Sequence, residues 1–183
     1  MIFRQATPAD LPRILTILDA AICRLGAQGI DQWQHGYPNC QRIEEDLKEG
    51  IGYVLEAEEV VAYGAVIFTG EEAYKSIEGE WLTSTEDYVV VHRLCVADEA
   101  IGRGYGRAFM EHTMELAQGR TTSFRVDTHA DNHTMQRLLT TLGFHRCGII
   151  YIESRPPGCL RTTLLTLIST PIRFANPLST IID

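Results

Sequence analysis

Two groups of residues in this 183-residue chain are of types and spacings that could do chemistry. The first is Gly102-Arg103-Gly104-Tyr105-Gly106-Arg107. An apolar, β-branched run from Tyr88 to Val96 precedes it, and Phe109, Met110, Thr113, Met114 and Ala117 follow at helical spacing, so the glycines stand at a strand-to-helix junction. A helix start offers unpaired N–H groups and the positive end of the macrodipole, and glycine lets a phosphate approach them closely. The expected ligand is a phosphate-bearing cofactor. The second is His92, inside the preceding strand. An unperturbed imidazole titrates near ~6.5, so at neutral pH it is mostly uncharged and able to accept a proton, directly or through one water. The competing reading is a buried histidine satisfied by a backbone carbonyl. On a regular strand His92 shares a face with Val90, Leu94 and Val96, up to the point where a bulge intervenes.

Spacing discriminates among the phosphate loops. A P-loop requires Lys-Ser or Lys-Thr after its last glycine, and Arg107-Ala108 stand there instead. A dinucleotide fingerprint requires a further glycine where the chain has Arg107. What remains is a loop whose fixed pair is Gly104 and Gly106.

Periodicity indicates the elements that must hold these residues. Ile2 to Ala6 reads as a strand, and Thr7-Pro8-Ala9-Asp10 as a capping box with proline at the first helical position. The stripe Leu11, Ile14, Leu15, Leu18, Ile22 and Leu25 predicts a helix ended by Gly26 and Gly29. Asp31 to Pro38 sets Trp33, His35 and Tyr37 in a turn-rich connection that either closes over the core or helps to bind an acceptor. A short charged helix over Arg42 to Glu49 leads to a hairpin, Tyr53 to Ala57 and Val60 to Phe68, turning at Glu58-Glu59. The acidic stretch from Thr69 to Asp87, with Tyr74, Glu78, Glu80 and Trp81, is long for a connection, which marks it as functional or mobile. After the Gly-loop helix come a strand over Thr122 to Asp127 and a helix that Asp131 can cap, with Met135, Leu138, Leu139 and Leu142 as its apolar face. Phe144 to Ile152 and Thr162 to Ile168 read as the last strands, broken apart at Pro156-Pro157-Gly158.

Composition narrows the class. With 45% hydrophobic residues the chain is long enough for one α/β domain and its core, expected over residues 1–168. The net charge of −8 speaks against a nucleic-acid surface and suits a cationic amine partner. No run approaches the ~18 apolar residues of a membrane span, and the N-terminus enters fold-like sequence directly, so a cytoplasmic location is expected. Five cysteines without a C-x-x-C pair fit a reducing compartment and indicate neither a disulfide framework nor a zinc site. His129 and His133, with Asp131 between them, tempt a metal reading, but His129 precedes the helix and no third ligand has telling spacing, so they read as a solvated helix cap. The tail over 169–183 is too apolar for a solvated end; it either packs on its own domain or crosses to a second subunit of a homodimer.

The loop with Gly104 and Gly106 resembles the acetyl-CoA pyrophosphate loop of the GNAT N-acetyltransferase family, with Ile101 where that family has Gln or Arg. A second segment, Asp127 to Leu139 closed by Leu142-Gly143-Phe144, resembles the family's second cofactor motif, and the element order resembles its fold over about the first 168 residues. Gln32-Trp33, Tyr37-Pro38 and His92-Arg93 are similar to a mostly uncharacterised bacterial subgroup. The resemblance implies an acyl-CoA N-acyltransferase fold of class α/β (α+β), with a mixed, mostly antiparallel sheet flanked by helices. It implies acetyl-CoA as co-substrate, held by Arg103, Gly104, Tyr105, Gly106 and Arg107 at the pyrophosphate, by Asn132 at the pantetheine arm, and by backbone N–H groups near Leu94, Cys95 and Val96 at a bulge that splays the central strand. The tyrosine that often protonates the departing thiolate is replaced by Leu139, leaving that task to water, Tyr151 or Tyr105.

The function this supports is transfer of the acetyl group of acetyl-CoA to a primary amine, a small molecule first, by direct attack on the thioester, with His92 as base. Trp33, Tyr37, Glu78 and Trp81 are the expected acceptor contacts, with Glu78 and Glu80 as reserve bases. The alternatives are acetylation of a protein N-terminus or lysine, and a non-catalytic acyl-CoA-binding sensor.

Overall fold

The computed structural model describes residues 1–84, 86–154 and 161–171, with side chains through residue 150. The β-branched and apolar runs form strands β1 (Ile2–Gln5), β2 (Gly52–Glu56), β3 (Val60–Ile67), β4 (Glu78–Gly79), β5 (Val89–Val96), β6 (Ser123–His129), β7 (His145–Ser154) and β8 (Arg161–Pro171). The segments of helical period form α1 (Leu11–Ala27), α2 (Cys40–Glu49), α3 (Tyr105–Leu116) and α4 (His133–Thr141). All eight strands join one sheet in the order β1-β2-β3-β5-β6-β8-β7-β4. Each neighbouring pair is antiparallel except β5 with β6. The expected mixed, mostly antiparallel sheet with flanking helices is therefore present.

The apolar stripes decide the packing. Ile14, Ile17 and Leu18 of α1 and Phe109 and Met110 of α3 are fully buried against Val54, Tyr63, Val89, Val91 and Phe124 of the sheet. Each such side chain contributes about 1.5–3 kcal/mol by leaving water. At the start of α1 the capping box forms: Asp10 Oδ2 accepts from both Thr7 N and Thr7 Oγ1 at 2.8 Å. It does so on a 3-10 turn over Pro8–Asp10 that precedes the α-helix. Arg4 forks onto the same carboxylate and holds it far below the usual range, against the opposing effect of burial. The helix runs through Gly26 and stops at Ala27, between the two glycines expected to end it. Gly29, in the left-handed region, makes the turn that follows.

The described part of the long acidic connection after β3 is anchored on the sheet by Tyr74. That ring is 2% exposed and packs with Tyr88, Val90 and Ile150 in a second, smaller core. A 3-10 turn over Glu72–Lys75 and the short β4, paired with β7, complete it. Strand β8 continues to Pro171, opposite Ser123, so the first three residues of the tail belong to the sheet. Residues 172–183, on which the dimer expectation rests, and most of the 153–161 loop lie outside the described residues. Among the described residues no helix is long and apolar enough to cross a membrane.

Candidate active site

The site begins with an irregularity in the central strand. Ala65 of β3 faces His92 and Tyr63 faces Cys95, so Gly64 alone stands opposite two residues, Arg93 and Leu94. This is a β-bulge, and Arg93 adopts φ 58° to make it. Gly64 is required by space: a Cβ there would lie 2.8 Å from the Phe109 ring. The bulge changes the phase of the strand. Arg93 reaches Asp46 on the face that Tyr63 also uses, beside His92, while Val96 turns to the α3 side, where it faces Gly106. His92 thus shares its face with Val90 and Arg93, and the expected alignment with Leu94 and Val96 ends at the bulge.

Beyond it the sheet opens. β5 and β6 pair only at Val89 with Phe124 and Val90 with Arg125. From there the two parallel strands diverge, and Cys95 and Val96 keep strand partners on the β3 side alone. Cys95 is 4% exposed, and burial pushes its thiol up to about 12, so it is no nucleophile. Further along β6, the Thr128 hydroxyl is buried with no partner among the described residues.

At the mouth of this opening His92 sits between two carboxylates. Its Nδ1 is 3.2 Å from Asp127 Oδ1 on β6, and its Nε2 is 3.2 Å from Glu71 Oε2 in the acidic connection. The Tyr74 hydroxyl donates to the same Asp127 oxygen. Burial alone would lower the imidazole's pKa, but Asp127 and Glu71 together raise it to about 9. The bond to His92 in turn depresses Glu71. Asp127 is lowered as well, since its pairing with His92 outweighs its own burial. The neutral imidazole expected from an ordinary pKa is thereby corrected: at pH 7 His92 carries its proton, and the cluster of one cation and two carboxylates has a net charge of −1. Glu71 and Asp127 are the residues sequence reasoning passed over as site carboxylates. A charged residue inside the buried strand Phe124-Arg125-Val126-Asp127 was the available signal for one of them; nothing local singled out Glu71.

The helix N-termini frame the far side. Gly104 is the N-cap of α3 at φ 82°, with open space where a side chain would project, and no side chain caps the first turn of Tyr105, Gly106 and Arg107. A Cβ on Gly106 would stand 3.4 Å from Leu138 and 3.7 Å from Val96. A diphosphate with a narrow arm fits this uncapped cradle, open at Gly104, and the β5 edge beyond the β6 pairing continues it. A groove of about 360 Å³ runs along α4 past His133, Arg137 and Leu138. The cap of α4 is Asn132, whose Oδ1 accepts from Met135 N at 3.1 Å; the expected capping by Asp131 is not what forms. Leu139, in place of the family tyrosine, is fully buried and offers no acid. Tyr105 is partly buried against the core, and the Tyr151 side chain lies outside those described.

The 31–38 segment bridges the two sides. Gln32 Oε1 accepts from Asn132 Nδ2 at 2.8 Å, and the Tyr37 hydroxyl accepts from Arg93 Nη1 at 2.8 Å. Trp33, at φ 68°, packs its ring on the main core, while Tyr37 is 51% exposed. Glu78 and Trp81 are not brought to the opening. Glu78 lies in β4 at the sheet's far edge, three strands from β6, or ~14 Å at ~4.8 Å per strand. Trp81 donates to Tyr74 O and stacks under the Arg125 guanidinium at 4.0 Å, which commits its ring to structure. Glu80 follows β4 and donates its own N–H to Cys147 O, so the reserve bases belong to that edge.

Comparisons with known proteins agree with this geometry. The model of the acetyltransferase (GNAT) family matches residues 20–144. A GNAT-family acetyltransferase from Streptococcus agalactiae superposes with a TM-score of 0.84 at 30% identity, covering 94% of this chain and 96% of that one. A GNAT-superfamily phosphinothricin acetyltransferase from Sinorhizobium meliloti, solved in complex with AcCoA, superposes with a TM-score of 0.64 at 19% identity over 93% of this chain and 88% of that one. A ribosomal-protein-alanine N-acetyltransferase from Brucella melitensis gives 0.64 at 21% identity over 94% and 100%. The last two likenesses establish the fold alone. No curated protein matches the chain. A glycine-capped helix beside a splayed parallel pair, the family match and the 30% identical relative have one reading: the chain belongs to the GNAT acetyltransferase family.

Proposed function

We propose that this chain transfers the acetyl group of acetyl-CoA to the primary amine of a small molecule by direct attack on the thioester. As a member of the GNAT family it uses acetyl-CoA as co-substrate. The observation that carries the acceptor class is the anionic cluster of Glu71, His92 and Asp127 at the mouth of the β5–β6 opening, which draws in an ammonium. The 31–38 segment, tied to Asn132 on one side and Arg93 on the other, stands beside the site on the acceptor side. Trp33 and Tyr37 then line the acceptor side.

In this reading the first-turn N–H groups from Gly104 to Arg107 hold the pyrophosphate, with Arg103 and Arg107 as nearby countercharges. Asn132 exchanges Gln32 for a pantetheine amide. The open β5 edge at Leu94, Cys95 and Val96 supplies N–H donors to the thioester carbonyl, where negative charge develops during attack; one such donor is worth several kcal/mol. The amine nitrogen bonds to the carbonyl carbon, the C–S bond breaks and the thiol leaves as thiolate. The amine's proton passes to His92 in its neutral form, directly or through one water. A base of pKa near 9 is well matched to an alkylammonium near ~10.

The test is thiol release from acetyl-CoA with a panel of small amines, amino acids and short peptides. Release with small amines and not with peptides is expected. Acetyl-CoA binding without thiol release from any of them would replace this reading with that of a sensor, and a preference for peptides would move the acceptor to protein.

A further inference from the structure

Arg93 is the least expected residue in the sheet: a non-glycine side chain in the left-handed region, in the middle of the central strand. Strain of that kind persists only where the surroundings hold it. Here they do. The guanidinium is almost fully buried and forks onto Asp46 of α2, with Nε to Oδ2 at 2.8 Å and Nη2 to Oδ1 at 2.7 Å. Asp46, 0% exposed, also accepts from the Tyr63 hydroxyl at 2.6 Å and from Arg42 Nε at 3.0 Å, so both oxygens are doubly bonded and cannot swing away. The remaining nitrogen of Arg93, Nη1, donates to Tyr37 of the 31–38 segment. The knot thus joins α2, β3, the bulge and the acceptor-side segment, immediately between His92 and the Leu94–Val96 edge. A one-residue slip of β5 against β3 would turn His92 to the opposite face.

We propose that Arg93, clamped by Asp46, is a positioning residue for the reaction: it fixes the bulge that aims His92 at Asp127 and Glu71 and sets the Leu94–Val96 edge along the opening. Through Tyr37 it makes the 31–38 segment part of the same rigid unit. The inference rests on the acetyltransferase reading only for the purpose of the positioning; the arrangement of His92 can be tested without any substrate.

Two variants decide it, read by histidine NMR titration and by calorimetric binding of acetyl-CoA. Arg93→Gly accepts the positive φ without strain and leaves Asp46 its bonds to Tyr63 and Arg42. Arg93→Lys keeps the charge but cannot fork, and it serves where the glycine variant does not fold. The titrating and charged groups around His92 are Glu71, Asp127, Tyr74 and Arg93 itself, and the Arg93 charge lowers the imidazole's pKa. Losing that charge alone would therefore raise the pKa, whereas losing position lowers it. The expected result is a fall of the His92 midpoint from about 9 towards the ordinary range, with acetyl-CoA binding weakened about 10-fold. A folded variant whose His92 midpoint stays at or above the wild-type value overturns the proposal. If wild type itself binds no acetyl-CoA, the donor reading fails, while the titration still decides the role of Arg93.

Discussion

Replacing His92 by alanine removes the base proposed at the opening, an imidazole whose pKa is raised to about 9. The structure sets the size of the effect. With a pKa of about 9, roughly 1% of the imidazole is neutral at pH 7 and half at pH 9, so kcat/KM with His92 as base rises about fifty-fold between them and levels off above. The amine's own ionisation must not imitate this rise. The acceptor should be a weakly basic amine, fully deprotonated by pH 7, so that any slope above that pH belongs to the enzyme. Thiol release from acetyl-CoA is followed from pH 6 to pH 10 at subsaturating acceptor. In His92→Ala the slope should vanish and the rate at pH 9 should fall ~10²-fold or more, with acetyl-CoA affinity retained. Because alanine leaves Glu71 and Asp127 without the cation between them, His92→Gln, which still donates to one of them, is the control for loss of fold. A wild-type profile already flat from pH 7, or an alanine variant with wild-type turnover, would refute the role of His92 as base.

Glu71→Gln removes one of the two carboxylates that raise the imidazole, and should shift the rising limb of the same profile down by roughly one pH unit; an unmoved limb would detach Glu71 from His92. Folding stability should depend on pH through this cluster too. The folded pKa of His92 lies above the unfolded ~6.5, so its contribution is complete below that value and is lost as pH rises through about 9. The loss is on the order of 3 kcal/mol, read as a fall in urea midpoint that His92→Gln does not show. Gly106→Leu drives a branched side chain into Leu138 and Val96, which stand in contact already at a Cβ. The melting temperature should then no longer rise with acetyl-CoA, and an undiminished rise would make the loop purely structural.

What the sequence determined by itself is whatever depends on local period and backbone type. Apolar stripes in α1, α3 and α4 could only be helices packed on a sheet, and Gly104 before a helical run marked an uncapped helix start. The glycine spacing also excluded two other phosphate loops without reference to any neighbour. The structure decided everything that depends on contacts between distant segments. Glu71 is 21 residues from His92 and meets it only because Tyr74 buries the acidic connection against the sheet, so no local pattern marked Glu71 rather than Glu78 or Glu80. The ionisation of His92 followed from that meeting, since a pKa is set by the charges and burial around a group and not by its residue type. The side that Arg93 and Leu94 face was likewise open until β5 paired with β3. A bulge costs one residue of register, and what holds it here is a carboxylate 47 residues away on α2.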